Sequence, residues 1–200
     1  MSTLLQIRTS LFSNQGQSSQ LAEQFVARWR AAHPDGTVIT RDLAANPIPH
    51  LTAERFGAFT AAADARTPAQ EAVLAESDAL IEEIKAADVV VLGLPLYNFG
   101  IPSTLKSYFD HIARSGVSFR YTENGPVGLL GGRQVRVFAA RGGLYAGTPL
   151  DTQTGYVRNF LAFLGMTDVE FIYAEGLAMG DDRRNGALAQ ARESLEALAV

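Results

Sequence analysis

A chain of 200 residues with 47% hydrophobic and 19% charged content is long enough to bury one sizeable core, and its net charge of −4, with the Lys and Arg scattered, excludes a surface built for nucleic acid or an anionic membrane. The absence of cysteine excludes disulfides, thiol nucleophiles and thiolate metal sites together, and makes a reducing compartment, the cytoplasm, the expected location. No charged-then-apolar leader and no apolar run near the ~20 residues that span a bilayer is found, so neither export nor membrane insertion is expected.

In chain order, a strand over Thr3 to Arg8 runs into the polar loop "TSLFSNQGQSS" and a helix over Ser18 to Ala32, with Leu21, Phe25 and Trp29 on one stripe. A second strand, Thr37 to Asp42, precedes Leu43 to Ala65, a segment outside the plain alternation that carries "NPIP" in a loop and is expected to decorate the site. Thr67 as cap and Pro68 at the first position open a helix to Ala87. The third strand, Asp88 to Leu94 ("DVVVLGL"), is nearly all apolar, as a central strand buried on both faces requires. After "PLYNFG" come a helix over Pro102 to Ser115, carrying Leu105, Phe109 and Ile112, and a segment over Val117 to Leu130, where Asn124-Gly125 predicts a hairpin turn. The chain closes with a strand over Gln134 to Arg141, the loop "ARGGLYAGTP", a helix over Thr154 to Gly165, a strand over Thr167 to Ala174 and a helix over Asp182 to Ala199. Alternating β and α predicts an α/β fold, one domain over residues 1–200: a three-layer, doubly wound, five-stranded parallel sheet of order 2-1-3-4-5 with an extra β-hairpin.

In that order the binding crevice opens between the carboxyl ends of the first and third strands, which assembles three loops. The first crowds Ser10, Ser13, Asn14, Gln17, Ser18 and Ser19 at a helix N-terminus and has neither Lys nor Arg, nor a G-x-x-x-x-G-K-[ST] or G-x-G-x-x-G pattern. Hydroxyls with a helix dipole suit a phosphomonoester; the alternative is that Ser18 merely caps the helix. In the second, Leu96, Tyr97 and Phe99 offer apolar walls and Asn98 an amide, a mixture suited to a flavin-sized ring, whereas the structural alternative makes them core aromatics and a turn former. In the third, Gly142 and Gly143 let backbone N–H groups approach a ligand that develops negative charge.

These residues resemble the FMN-dependent NADH-azoreductases, flavodoxin-like homodimers that also reduce quinones. The resemblance spans nearly the whole chain and rests on "RDLAANPIP", "PLYNFGIPSTLKSYFDHIARSGVSFRYTENGPVGL", "ARGG" and "AEG". It implies bound FMN, NADH or NADPH as donor, and azo compounds and quinones as acceptors, with the chemistry at the flavin N5 and no catalytic side chain. Ser10, Gly16, Gln17 and Ser18 resemble the phosphate-binding positions, Leu96, Tyr97, Asn98 and Phe99 the ring-binding run, and Ala140, Arg141, Gly142 and Gly143 complete the ring site. Three positions depart from the family: Gly16 stands where a serine commonly binds the phosphate, Leu96 replaces a frequent methionine and Ala140 a frequent serine. From its place between the helix after the central strand and the fourth strand, the hairpin is expected to project beyond the carboxyl end of the sheet. Phe119 and Tyr121 alternate along its first strand onto one face, an aromatic pair left exposed beside the cofactor unless a partner subunit covers it. The resemblance implies that Tyr121 reaches the neighbouring subunit's site and walls the acceptor pocket with Phe99 and Phe163.

Other chemistry finds little support. His33, His50 and His111 have no metal-ligand spacing and are expected at the surface, and no metal is expected. Asp181-Asp182 reads as a helix cap, Glu82-Glu83 as a solvated face and Lys106/Asp110 as a surface ion pair. The rival reading from another class is a flavodoxin-like electron carrier without a small-molecule substrate; the mild charge and the extra hairpin argue against it.

Overall fold

The computed structural model describes residues 2–200. Its main elements are β1 (Thr3–Arg8), α1 (Gln17–Ala32), β2 (Thr37–Asp42), α2 (Ala53–Thr60), α3 (Pro68–Ala86), β3 (Val89–Pro95), α4 (Ser103–Ile112), β4 (Phe119–Thr122), β5 (Gly125–Gly128), β6 (Gln134–Ala140), α5 (Thr152–Phe163), β7 (Asp168–Ala174) and α6 (Asp181–Glu196). The five long strands form a parallel sheet of order β2-β1-β3-β6-β7, and β4-β5 is a separate antiparallel hairpin. This is the expected order 2-1-3-4-5, with the reversal between β1 and β3.

The sheet is covered on both faces. Leu21, Phe25, Val26 and Trp29 of α1 join Leu188 and Leu195 of α6 in one core; α3, α4 and α5 supply Leu80, Ile84, Leu105, Phe109 and Leu161 to the other. Every residue of β3 is buried, in keeping with its unbroken apolar run. Gly93 lets α1 approach this strand closely, since a Cβ there would stand 3.3 Å from Ser18 O. Thr67 and Gln70 complete a reciprocal capping box at the start of α3.

Several expectations need correction. The segment Leu43 to Ala65 keeps "NPIP" in a loop as expected and adds a helix, α2, capped by Thr52 and packed on α3, but it lines neither cavity at the switch point and so does not decorate the site. The hairpin turn is centred one residue earlier, on Glu123-Asn124, with Gly125 at φ 106°. The hairpin also sits at the amino end of the sheet. Leu130 N–H donates to Leu164 O at 2.8 Å, Arg133 reaches the carbonyls of Ile84 and Lys85, and Gly128 packs directly on the Gly165 backbone. Phe119 is buried against Phe163, with ring centroids 4.4 Å apart, and only Tyr121 stands out in solvent, 72% exposed. Burying one such aromatic contributes about 1.5–3 kcal/mol, which anchors the hairpin to its own chain.

Among the polar expectations, Lys106–Asp110 is the anticipated i,i+4 pair. Glu83 is not merely solvated: it pairs with Arg41 and ties α3 to the edge strand β2. Gly180, not an aspartate, caps α6, and Asp181 and Asp182 are first-turn acids that complement the helix dipole. His111 is fully buried rather than at the surface.

Candidate functional site at the switch point

The first loop leaves β1 through Thr9, whose hydroxyl donates to Gly93 O at 2.7 Å and fixes the loop to the central strand. Ser10 Oγ accepts from Phe12 N–H at 3.2 Å, and Ser13, at φ 48°, donates its hydroxyl to Asp42 at the end of β2. Burial alone would raise the pKa of Asp42, but the Ser13 hydroxyl and the Ala45 and Ala44 amides outweigh it and hold the carboxyl below its usual range. Gly16 caps α1 without a side-chain bond, and the first turn's amides have no intrahelical acceptor. Ser18 is 1% exposed, and its Oγ has no hydrogen-bond partner among the described residues. The hydroxyl does not serve as the helix cap.

In the second loop, Tyr97 N–H donates to Gly100 O and Gly100 N–H to Tyr97 O, closing a two-residue turn whose central residues, Asn98 and Phe99, have φ of 49° and 62°. Positive φ at both central positions is the type I′ turn, tolerable for asparagine and costly for phenylalanine. The shape is imposed by α5: the Gln153 amide donates to Pro95 O at 2.9 Å and to Gly100 O at 3.3 Å, and the Thr152 hydroxyl donates to Phe99 O. The turn leaves Phe99 half exposed, edge-on to Tyr145 at 5.7 Å. Backbone strain held against solvent in this way marks a working surface. Tyr97 turns its phenol to the first loop, where Leu11 N–H donates to it at 3.2 Å.

In the third loop, the carbonyls of Arg141, Gly142 and Gly143 accept from the amides of Leu177, Ala178 and Gly176. The amides of Gly142 and Gly143 have no partner among the described residues and remain as donors. The guanidinium of Arg141 points away from the crevice. It is fully buried, paired at 3.0 Å with both Asp151 and Glu175, and lies 4.9 Å over the Tyr173 ring. Only the backbone of Arg141 can serve a ligand. Asp151 caps α5; burial would raise its pKa, but the Thr154 amide and the Arg141 guanidinium outweigh it and keep the carboxyl below its usual range.

These parts meet in one cavity of about 310 Å³. Ser10, Gly16, Gln17 and Ser18 line it from the first loop, Leu96 and Tyr97 from the second, and Ala140, Arg141 and Gly142 from the third. A neighbouring hollow of about 570 Å³ shares Leu96 and Tyr97 and adds Asn98. Phe12 and Leu177 also line the first cavity, though nothing in their spacing singles them out. Tyr145 and Glu175 lie within quoted motifs but carry no pattern of their own. Phe99 sits at the amino end of α5, through Thr152, while Phe163 ends that helix about 16 Å away. Within one chain, therefore, Phe163 does not join Phe99 in a wall. It clusters with Phe119, which meets Tyr121 edge-on at 5.5 Å, at the other end of the sheet.

The donor set fits a flavin mononucleotide. An orphaned buried hydroxyl and free helix amides suit a phosphate, an aromatic turn suits a flat ring, and two free amides suit the ring's polar edge. Among the described residues no group of His, Cys, Asp or Glu is arranged to hold a metal, and no helix is long and apolar enough to cross a membrane.

A family profile described as a flavodoxin-like fold matches residues 2–199. A protein of Cellvibrio japonicus named FMN-dependent NADH:quinone oxidoreductase is 56% identical over 196 residues, 98% of each chain, and one of the same name from Azotobacter vinelandii is 50% identical over 199 residues, 100% of each. Among solved structures, an azoreductase from Bacillus anthracis str. Sterne superposes with a TM-score of 0.89 at 30% identity over 98% of this chain and 97% of the other. An FMN-dependent NADH-azoreductase from Bacillus anthracis str. Ames Ancestor, in complex with FMN, gives 0.88 at 26% identity over 100% of both chains.

Proposed function

Because this chain belongs to the flavodoxin-like fold family, we propose that it is an FMN-dependent oxidoreductase that takes two electrons at a time from NADH or NADPH and delivers them to quinones, giving hydroquinones in one round, or to azo compounds, giving aromatic amines in two successive rounds that use two donor molecules and four electrons. The observation that carries this reading is the convergence of the Ser18 hydroxyl and the Gly142 amide, neither with a partner among the described residues, on one cavity beside a strained aromatic turn.

When bound, FMN supplies a ring that accepts a hydride at N5 from one substrate and returns two electrons to the next. The chain's residues bind, orient and polarise. The α1 amides and Ser18 hold the phosphate without a basic side chain, the Gly142 and Gly143 amides stabilise charge that grows on the pyrimidine edge, and Phe99 shields the reacting face. No side chain is required as acid or base in the donor half-reaction, in keeping with loops rich in donors and poor in titratable groups.

In this reading the whole chain is one FMN-binding domain working in the cytoplasm as a homodimer. Leu11, Phe12, Phe99 and Leu144 are exposed at the carboxyl end and Tyr121 and Val127 on the hairpin, so each end offers apolar surface to a second copy. Tyr121 and Phe163, which share one aromatic cluster, then come together from the partner to meet Phe99.

The test is to mix FMN-loaded protein with NADH without oxygen. Rapid loss of the yellow colour, two electrons per flavin, followed by recovery on adding a soluble quinone, is the expected result. No reaction with NADH, or stepwise reduction that stops at one electron per flavin, favours the electron carrier. Chromatography of the released flavin is expected to give FMN; FAD would contradict a first loop shaped for one terminal phosphate.

A further inference from the structure

The β6–α5 loop is held in two separate ways. Its start, Arg141 to Gly143, is fixed by backbone: all three carbonyls accept amides from residues 176–178. Beyond Gly143 that ladder ends, and the side chain of Glu175 takes over. Its carboxylate accepts Tyr145 N–H at 3.0 Å and Ala146 N–H at 3.0 Å, and is braced by Arg141 Nη1 at 3.0 Å. From Ala146 to Leu150 the loop is exposed, so it has little apolar packing to anchor it.

A buried cluster of Arg141, Asp151 and Glu175 is a poor device for stability alone. Two carboxylates facing one guanidinium leave an excess negative charge, and the desolvation of such groups offsets most of their attraction. What the cluster does achieve is geometric. It sets Tyr145 where its ring stands edge-on to Phe99 and its phenol lies over Gly143, close enough that a Cβ on Gly143 would be 2.7 Å from the oxygen.

We propose that Glu175 is a positioning residue for the acceptor half of the reaction: its carboxylate, braced by Arg141, holds the Tyr145 ring against Phe99 so that the two form the wall on which the acceptor stacks. The proposal rests on the oxidoreductase reading. It separates two functions along one loop, since the amides of Gly142 and Gly143 are placed by the backbone ladder and owe nothing to the Glu175 side chain. Cofactor binding and reduction by the donor should therefore survive the loss of Glu175, while use of the acceptor should not.

The experiment compares FMN-loaded wild type, Glu175→Gln and Tyr145→Ala. Three quantities are measured: FMN affinity by fluorescence titration, the anaerobic rate of bleaching by NADH, and re-oxidation as a function of concentration of a soluble benzoquinone. Both variants are expected to keep FMN affinity and bleaching within about twofold and to raise the quinone concentration for half-maximal rate about tenfold. Tyr145→Ala leaves the buried charges alone and so keeps the test valid if Glu175→Gln folds poorly. A half-maximal concentration unchanged in Tyr145→Ala, or FMN affinity falling in step with acceptor use, overturns the proposal. A wild type that NADH does not bleach is a different failure: the oxidoreductase reading falls first and the positioning role with it.

Discussion

Gly16 and Ser10 exclude one another's side chains: a Cβ on Gly16 would stand 2.2 Å from Ser10 Oγ and 2.7 Å from Ser10 Cβ. The serine that commonly binds phosphate at position 16 in the resembling family therefore has no room here. Gly16→Ser is expected to displace the first loop rather than restore a contact, costing about 1–3 kcal/mol of stability, in the range of core overpacking, and weakening FMN binding. Thermal melts and fluorescence titration check it. The double variant Ser10→Gly/Gly16→Ser removes the clash and should recover most of the loss; tighter FMN binding in Gly16→Ser alone would contradict the packing argument.

Phe99 provides a second test, because its side chain is half exposed while its backbone has φ of 62°. Only glycine adopts such a conformation freely, whereas a buried phenylalanine normally loses about 3–5 kcal/mol on truncation. Phe99→Gly should therefore hold the unfolding free energy within about 1 kcal/mol of wild type, relief of strain offsetting the lost contact with Tyr145. Acceptor kcat/KM should nevertheless drop about tenfold or more, as expected where strain is kept for function. Urea unfolding and steady-state kinetics read the two effects separately, and a large loss of stability would show the turn to be ordinary core.

The sheet was legible because β-branched runs bounded by polar loops report strands almost directly: Thr3–Arg8 and Thr37–Asp42 are observed with the expected limits. From the strand order, the three loops at the reversal followed. The α2 helix was not legible, since its eight residues bury only Ala58 and so carry no apolar stripe. Nor could spacing assign Arg141: a strand-end arginine beside two glycines looks like a ligand group, and its pairing with Asp151 and Glu175 depends on residues 10 and 34 positions away. Alternation correctly put Phe119 and Tyr121 on one face. It carries no information about which end of the sheet that face meets, and here the amino end claims Phe119.

His111 makes stability pH-dependent. Its Nδ1–H donates to Ser107 O at 2.8 Å and its Nε2 accepts from Arg55 Nε at 2.8 Å, an arrangement that requires the neutral ring. Burial lowers its pKa; the Ser107 carbonyl opposes this in part, the Arg55 charge adds to it, and Glu76 and Asp110 oppose it more weakly. Between the lowered folded value and about 6.5 in the unfolded chain, the unfolded state binds more protons. Stability contributed by this site is therefore present above about pH 6.5 and is lost as pH falls through the folded value. His111→Gln, which can keep both hydrogen bonds, should show a smaller drop in urea midpoint between pH 7.5 and pH 5 than wild type. An equal drop in both proteins would remove His111 as the cause.

The shared site is tested by complementation. Tyr121 is 72% exposed on a hairpin at the amino end of the sheet, so it cannot serve the crevice of its own chain and has a role there only if a second copy brings it in. Gly143→Val cripples a chain's own crevice, because a side chain there blocks the approach of the Gly142 and Gly143 amides to the ring's polar edge, and its Cβ would also stand 2.7 Å from the Tyr145 phenol oxygen. Tyr121→Ala, in contrast, would cripple only the site of the neighbour. Each homodimer should fold and lose activity, the first by weakened FMN binding and the second by poor use of the acceptor. In a mixed dimer, the crevice of the Gly143→Val chain would receive the altered position 121 and carry both lesions. The other crevice would receive an intact Tyr121, so each mixed dimer regains one working site, about half the activity of a wild-type dimer. Mixed dimers no more active than their parents, or a protein that is monomeric by light scattering, would return Tyr121 to the role of a solvent-facing side chain on its own hairpin.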